Sequence, residues 1–122
     1  MSGETEALVR RLYAAWPAKD RATVDSIVAD DFHFTSPLDN RLDRETFFAR
    51  CWPNSATMQR IDVQRVLVDG DTVVVTYELT ADGGKRFRNT EALRVRGGKV
   101  QEVEVYFGWN LPHPAPLGGF VE

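Results

Sequence analysis

Hydrophobic residues near the start of the chain recur at the three- and four-residue spacing of a helix. Leu8, Leu12, Ala15 and Trp16 share one helical face. Pro17 is expected to end or bend this helix, because proline cannot donate the helical backbone hydrogen bond. The pattern therefore predicts an amphipathic first helix that packs one side against a core.

Two further helices are predicted in the first half of the chain. One begins after Asp20, and the other is the sequence RETFFARCW after Asp43. Either aspartate can cap the helix that follows it. Between the two helices, Phe32 to Ser36 alternates as a short strand, and residues 37–43, PLDNRLD, are expected to form a loop.

From Ile61 onward the period changes from helical to alternating. Four long strands are predicted, with hairpins at Asp69-Gly70-Asp71, at residues 81–86 and at Gly97-Gly98. Residues 108–122 are rich in proline and glycine, so we expect a C-terminal tail without regular structure.

The third of these strands, Arg86 to Arg96, reads RFRNTEALRVR and has two different faces. The arginines share one face, and Phe87, Leu93 and Val95 share the other. Asn89 and Glu91 break the pattern because they fall on the apolar face. A carboxylate that points inward is costly unless it is paired, neutralised or used.

Three helices followed by a strand meander predict an α+β fold in a single domain over residues 1–122. Short connections make the sheet mainly antiparallel. The N-terminal helices are expected to cover one face of a strongly curved sheet, which forms a cone with an internal pocket. Glu91 would point into that pocket.

Composition and charge narrow the range of partners. The formal net charge is −3, which favours neither nucleic acid nor an anionic membrane, and no apolar run has membrane-spanning length. Cys51 is the only cysteine, so no internal disulfide forms, and a cytoplasmic location is expected. Cysteine and histidine are too few for a zinc cluster, and nothing indicates a metal or another cofactor.

The order helix, helix, ADDFHFTSP, helix, then hairpins ending in GGKVQEVEVYFGW resembles the SnoaL-like branch of the nuclear-transport-factor-2-like superfamily. The resemblance runs from about Glu6 to Asn110. It implies a cone-shaped α+β fold, which also occurs in ketosteroid isomerases, polyketide cyclases and limonene epoxide hydrolases. It further implies a homodimer through the outer face of the sheet.

Carried over residue by residue, the resemblance supplies one of three isomerase groups. The isomerases place an aspartate base before a proline, where this chain has Ser36-Pro37. Their oxyanion tyrosine falls at Leu12 in an ungapped count, and Tyr13 is rotated from it by about 100°. Glu91 matches their inward carboxylic acid. The resemblance therefore disfavours steroid isomerisation by the familiar mechanism.

Glu91 is the candidate catalytic residue, as a general acid or base whose pKa is raised by apolar walls. Two other interpretations stay open: Glu91 is tied to an arginine or to backbone donors without chemistry, or a bulge reverses the strand face and exposes it. The substrate-binding candidates are polar or aromatic residues expected on the pocket wall, namely Asn89, Tyr13, Trp16, Ser36, Trp52, Tyr77, Phe87 and Trp109.

The remaining reactive side chains have simpler interpretations. His33 alternates with two phenylalanines and should face away from the pocket, whereas His113 in the tail could fold over its mouth. Cys51 is expected to be a small buried hydrophobe rather than a nucleophile. The outward arginines are typical of a solvated face, or of one that pairs with Glu102 and Glu104 across a subunit interface.

Two functional hypotheses follow from these features. In the first, the protein is an isomerase, cyclase or hydrolase that uses Glu91 on a small hydrophobic or aromatic molecule. In the second, the same pocket belongs to a non-catalytic binding or structural domain. The loss of two isomerase groups favours the second hypothesis, and the inward acid favours the first.

Overall fold

The computed structural model describes residues 2–122. The helices are α1 (Ser2–Ala15), α2 (Arg21–Ile27) and α3 (Arg44–Cys51), with short 3-10 helices at Trp52–Thr57 and Asp82–Gly84. The strands are β1 (Val28–Ser36), β2 (Asp39–Asp43), β3 (Met58–Asp69), β4 (Thr72–Ala81), β5 (Arg86–Arg96) and β6 (Lys99–Asn110). The predicted α+β class and its three helices are confirmed.

The six strands form one sheet in the order β2-β1-β6-β5-β4-β3. β1 runs parallel to β6, and the other neighbouring pairs are antiparallel. β2 and β3 are the two edges, so the sheet is open. The pairing of β1 with β6 joins the first half of the chain to the last strand and places the inward side chains of both next to each other.

The helix boundaries follow local hydrogen bonding. The Asp20 carboxylate accepts from the Thr23 N–H at 3.1 Å, and the Asp43 carboxylate accepts from the Thr46 N–H at 2.8 Å. Each aspartate thus satisfies a backbone donor that the first helical turn leaves unpaired. α1 ends at Ala15, two residues before Pro17, as predicted.

The hairpin turns occur where the sequence places them. Gly70 joins β3 to β4 with a φ of 60°, and Gly97 and Gly98 join β5 to β6 with φ of 58° and 72°. Side chains rarely adopt this left-handed region, so glycine suits these tight connections.

Residues 37–43 are not the loop that the sequence predicts. Only Pro37 and Leu38 form a turn, and residues 39–43 form β2, which pairs with β1. β1 itself starts at Val28, well before the expected Phe32, because it pairs with β6 as well as with β2. β6 continues through Asn110, so the irregular tail begins at Leu111 rather than at residue 108.

The core lies between the helices and one face of the sheet. α1 contacts β3 and α3 contacts β1. The buried apolar residues include Val9, Leu12, Val24, Ile27, Phe32, Phe47, Val73, Val75, Leu93, Val100 and Val103. Burial of each side chain of this size contributes about 1.5–3 kcal/mol. This packing fixes the helices over the sheet and leaves a cavity between them.

Candidate functional site

The cavity has a volume of about 500 Å³. Most of its wall is apolar, and residues from each of the three helices and six strands line it. A volume of this size suits a small organic ligand. The polar groups that reach the wall are few, so each of them bears on what the cavity can hold.

Glu91 lies on this wall, as its position on the apolar face of β5 predicts. It pairs in register with Val75 on β4 and Val105 on β6, and both valines are buried. The irregularities in the β5–β6 register fall elsewhere along the strand, so no bulge turns Glu91 outward. Glu91 is half-buried, and it lines the cavity.

Two tyrosines hold the Glu91 carboxylate. The Tyr13 hydroxyl on α1 donates to Oε1 at 2.5 Å, and the Tyr77 hydroxyl on β4 donates to Oε2 at 2.6 Å. Both tyrosines are buried, and their ring centroids are 5.5 Å apart. Among residues 2–122, neither an arginine nor a backbone donor binds the Glu91 carboxylate, and its partners are two neutral hydroxyl groups.

Asn89 extends this network toward β6. Its Nδ2 donates to the Tyr77 hydroxyl oxygen at 3.4 Å, and its Oδ1 accepts from the Gly108 N–H at 3.2 Å. Gly108 must lack a side chain, since a Cβ there would lie 2.1 Å from the Arg88 carbonyl oxygen. The backbone of β6 thus orients Asn89, which in turn contacts the tyrosine that holds Glu91.

The electrostatics follow from burial. Burial raises the pKa of Glu91, and the hydrogen bonds from Tyr13 and Tyr77 partly oppose this shift. Burial also raises the pKa of both tyrosines, and the negative charge of Glu91 raises it further. The tyrosines therefore stay protonated as donors, and Glu91 is the member of the group that gains and loses a proton.

Tyr13, which the ungapped count places one residue away from the isomerase tyrosine position, is the residue of α1 that reaches Glu91. Tyr13 contacts Glu91, while Leu12 is buried and also lines the cavity. Neighbouring helix positions differ by about 100° in direction, yet the cavity is wide enough for both side chains to reach its wall.

The structure brings most of the other predicted residues to the cavity. Trp16, Ser36, Phe87 and Trp109 all line it. Trp52 does not belong to this wall. It begins the 3-10 helix after α3 and packs against Trp16, with ring centroids 4.9 Å apart. Trp52 therefore contacts a wall residue without lining the cavity itself.

Asp39 and Cys51 are two of the wall residues that the sequence did not predict as site residues. The Asp39 carboxylate accepts a hydrogen bond from the Ser36 hydroxyl at 2.9 Å and lies 3.6 Å from Arg50. It was assigned to a loop because β2 was missed. Cys51 also lines the cavity, and burial raises the pKa of its thiol to about 11, which keeps it protonated and unreactive.

Both histidines lie outside the lining. His33 Nδ1 is 3.4 Å from an Arg41 guanidinium nitrogen, on the face of β1 that points away from the cavity, as expected. His113 packs on Trp109, with ring centroids 5.2 Å apart. The tail therefore contacts one residue of the cavity wall, although His113 itself is not part of the lining.

The outward arginines of β5 form ion pairs within the chain. Arg94 lies 3.2 Å from Glu102, Arg96 lies 2.8 Å from Asp71, and both Arg86 and Arg88 contact Glu78. Of the two glutamates expected to serve a subunit interface, Glu102 already has an intramolecular partner. These charges therefore do not themselves require a second subunit.

Within residues 2–122, no three histidine, cysteine, aspartate or glutamate side chains are grouped so that they could hold a metal ion. None of the helices in this described range combines the length and the apolar character needed to cross a bilayer.

The chain belongs to the SnoaL-like domain family, whose model matches residues 9–103. No curated protein matches the sequence. The family assignment confirms the resemblance that the order of helices and hairpins indicates.

Solved structures with a similar fold include a protein from Kribbella flavida DSM 17836, provisionally described as a ketosteroid isomerase. It is 22% identical, with a TM-score of 0.77 over 98% of this chain and 89% of that chain. A nuclear-transport-factor-2-like protein of unknown function from Burkholderia xenovorans LB400 is 19% identical, with a TM-score of 0.77 over 88% and 84%.

A third similar structure is a hypothetical protein with a ketosteroid isomerase-like fold from Catenulispora acidiphila DSM 44928, solved in complex with trimethylamine. It is 17% identical, with a TM-score of 0.67 over 83% of this chain and 85% of that chain. At these identities the three structures show a shared fold, and this fold carries many unrelated functions.

Proposed function

We propose that the protein binds a small, largely apolar molecule in the cavity and that Glu91 exchanges a proton with it. One observation carries the proposal. The Glu91 carboxylate lies in a largely apolar cavity of about 500 Å³ and is held there by two tyrosine hydroxyls. Perturbed carboxylates in clefts are typical of functional sites.

The arrangement suits general acid–base chemistry. A carboxyl group whose pKa is raised by burial holds a proton more readily near neutral pH than a free glutamate does. Tyr13 and Tyr77 each occupy one oxygen and so fix the plane of the carboxyl group. Asn89 contacts Tyr77 from the other side, which limits rotation of that hydroxyl.

Asp39 is a second carboxylate on the cavity wall, beside Ser36. Ser36 stands where the ketosteroid isomerases have their base, so steroid isomerisation by that route is not part of the proposal. Asp39 would instead orient a polar group of the ligand near the mouth, while Glu91 acts deeper in the cavity.

A second candidate is a non-catalytic binding domain. The observation that favours it is that both Glu91 oxygens already accept hydrogen bonds from the protein. A carboxylate satisfied in this way can fix the shape and polarity of a pocket without transferring a proton. The Catenulispora protein, solved with trimethylamine, supports small-molecule binding within this fold.

The proposal also includes the shape of the sheet, the oligomeric state and the cellular location. The strong curvature and cone shape of the sheet agree with a cavity enclosed between helices and strands. A homodimer through the outer sheet face agrees with the exposed Tyr106 on β6. A cytoplasmic location agrees with a single cysteine.

Native mass spectrometry of freshly purified protein, followed by a turnover assay of any retained molecule, tests the function. We expect Glu91→Gln to lower kcat/KM by at least about a hundredfold, which is typical for loss of a general acid or base. Glu104→Gln, an exposed glutamate on β6, is the matched control. Unchanged kcat/KM in Glu91→Gln would reject proton transfer and favour the binding domain.

A further inference from the structure

Glu91 lacks a positively charged partner. Among the charged side chains of residues 2–122, none forms an ion pair with it, whereas Glu78, Glu102, Asp39 and Asp71 each lie within 4.0 Å of an arginine. Its two contacts are neutral hydroxyl groups. A buried carboxylate without a cationic partner is stabilised in one of two ways. It takes up a proton, or a positively charged ligand binds beside it.

Part of the cavity wall is aromatic. Tyr13, Trp16, Tyr77, Phe87 and Trp109 all line the same cavity. The face of an aromatic ring attracts a cation, most strongly where water is excluded, and groups of such rings recognise alkylated ammonium ions. A carboxylate and several aromatic side chains in one cavity therefore favour the same kind of ligand.

The other charges near the cavity do not supply the missing partner. Asp39 on β2 lies beside Arg50, which is exposed. Lys85 lines the cavity but is exposed and forms no ion pair with Glu91. The wall thus carries two carboxylates and one ammonium group, and this balance disfavours an anionic ligand.

We propose that the ligand of this cavity is an organic cation, an alkylated ammonium ion whose charge is balanced by the Glu91 carboxylate and whose alkyl groups contact the aromatic wall. The inference rests on the proposed function, since it names the ligand class for the same site. A neutral molecule of the same shape fills the cavity but leaves Glu91 without a counter-charge.

Binding of such a cation is coupled to the protonation of Glu91. The groups that face Glu91 are Tyr13 from α1, Tyr77 from β4 and, at longer range, Cys51 from α3. Asp39 and Lys85 are the other charged groups on the wall. The three nearest groups stay neutral near pH 7, so Glu91 itself controls the effect. Affinity for the cation rises with pH as Glu91 loses its proton, and affinity for a neutral isostere does not.

A pair of probes that differ only in charge tests the proposal. Benzyltrimethylammonium and neopentylbenzene have the same shape, with a quaternary nitrogen in the first and a quaternary carbon in the second. Each is titrated into the full-length protein and followed by tryptophan fluorescence, because Trp16 and Trp109 line the cavity. The titrations use wild type, Glu91→Gln and the control Glu104→Gln, at about pH 5 and about pH 8.

The proposal expects the cation to bind at least about tenfold more tightly than its neutral isostere in wild type and in Glu104→Gln at the higher pH. That preference should disappear in Glu91→Gln and shrink at the lower pH. The pH dependence in wild type tests the same point without any substitution.

Equal binding of both probes in wild type would overturn the inference about charge and leave small-molecule binding intact. A preference for the cation that survives in Glu91→Gln would also overturn it. If neither probe bound at any pH, both the inference and the proposed small-molecule function would be contradicted.

Discussion

Glu91, Tyr13 and Tyr77 form a set of three titratable side chains whose protonation is linked. Each tyrosine donates to a different oxygen of the same carboxylate, and burial raises the pKa of all three groups. The residue that titrates first as pH rises is Glu91, because a buried phenol loses its proton only at high pH. The chemistry of the cavity therefore depends on one proton.

The first prediction concerns the donor Tyr77. Its hydroxyl stabilises the ionised form of Glu91, so Tyr77→Phe should raise the pKa of Glu91 above the wild-type value. Carbon-detected NMR titration of labelled glutamate side chains measures the shift. Thr72→Ser, an exposed change at the start of β4, should leave the value unchanged. A lower pKa in Tyr77→Phe would contradict the network.

The second prediction concerns stability as a function of pH. Because the pKa of Glu91 is raised on folding, the folded state holds this proton at pH values where the unfolded state has lost it. Its contribution to the free energy of unfolding is complete below the unfolded pKa of about 4.3 and is lost as pH rises through the folded pKa. Glu91→Gln should remove this loss.

Urea unfolding at a series of pH values checks the second prediction. The stability of Glu91→Gln relative to wild type should increase with pH, since the amide never ionises and can still hydrogen-bond both tyrosines. The exposed control Glu104→Gln should show no comparable trend. A constant difference between Glu91→Gln and wild type across the pH range would contradict the raised pKa.

At the scale of elements, strands β5 and β6 together fix the position of Asn89. The register places Asn89 opposite Phe107 and is irregular between Phe87 and Asn89, where Gly108 approaches the Arg88 carbonyl. This local irregularity lets the Gly108 N–H reach Asn89. The position of Asn89 therefore depends on a glycine in the neighbouring strand.

The third prediction concerns Gly108→Ala. A Cβ 2.1 Å from a backbone oxygen forces the two strands apart, which should destabilise the protein by about 1–3 kcal/mol. Gly3→Ala in α1 is the matched control, because nothing lies within 4 Å of its Cβ position. Thermal unfolding measures both variants. Equal stability of the two variants would show that the close approach is absent.

The elements also show what the sequence can and cannot predict. Helix caps and hairpin turns depend on residues that are close in the sequence, as at Asp20, Asp43 and Gly70. They can therefore be predicted from the sequence. The inward direction of Glu91 follows from strand parity. β2 was not predicted because its mostly polar sequence, DNRLD, forms a strand only through pairing with β1.

Contacts between distant parts of the chain account for what else the sequence did not predict. Tyr13 and Glu91 are 78 residues apart, and their contact depends on how α1 rotates over the sheet. Trp52 lies behind Trp16 because the chain changes from an α-helix to a 3-10 helix at that point. The parallel pairing of β1 with β6 likewise has no signal in either strand alone.

At the scale of the whole molecule, the two faces of the sheet have different roles. One face, with the helices, encloses the cavity, and the other carries the paired arginines together with Tyr106, which is 56% exposed. Exposed aromatic side chains are enriched at interaction surfaces. The two roles can thus be tested independently.

The fourth prediction concerns the proposed homodimer. Sedimentation velocity should show a dimer in wild type, and Tyr106→Glu should shift it toward monomer because a new negative charge joins Glu102 and Glu104 on the same face. Phe120→Ser, in the exposed tail, is the control and should remain dimeric. A wild-type monomer at all concentrations would reject the dimer.

The central claim is that Glu91 is an enclosed carboxyl group with a raised pKa in a ligand cavity. The most direct measurement is its pKa in the wild-type protein without ligand, by NMR titration of the side-chain carboxyl carbon, assigned with Glu91→Gln. We predict a midpoint clearly above the value of about 4.3 for a free glutamate. A midpoint at or below that value would contradict the claim.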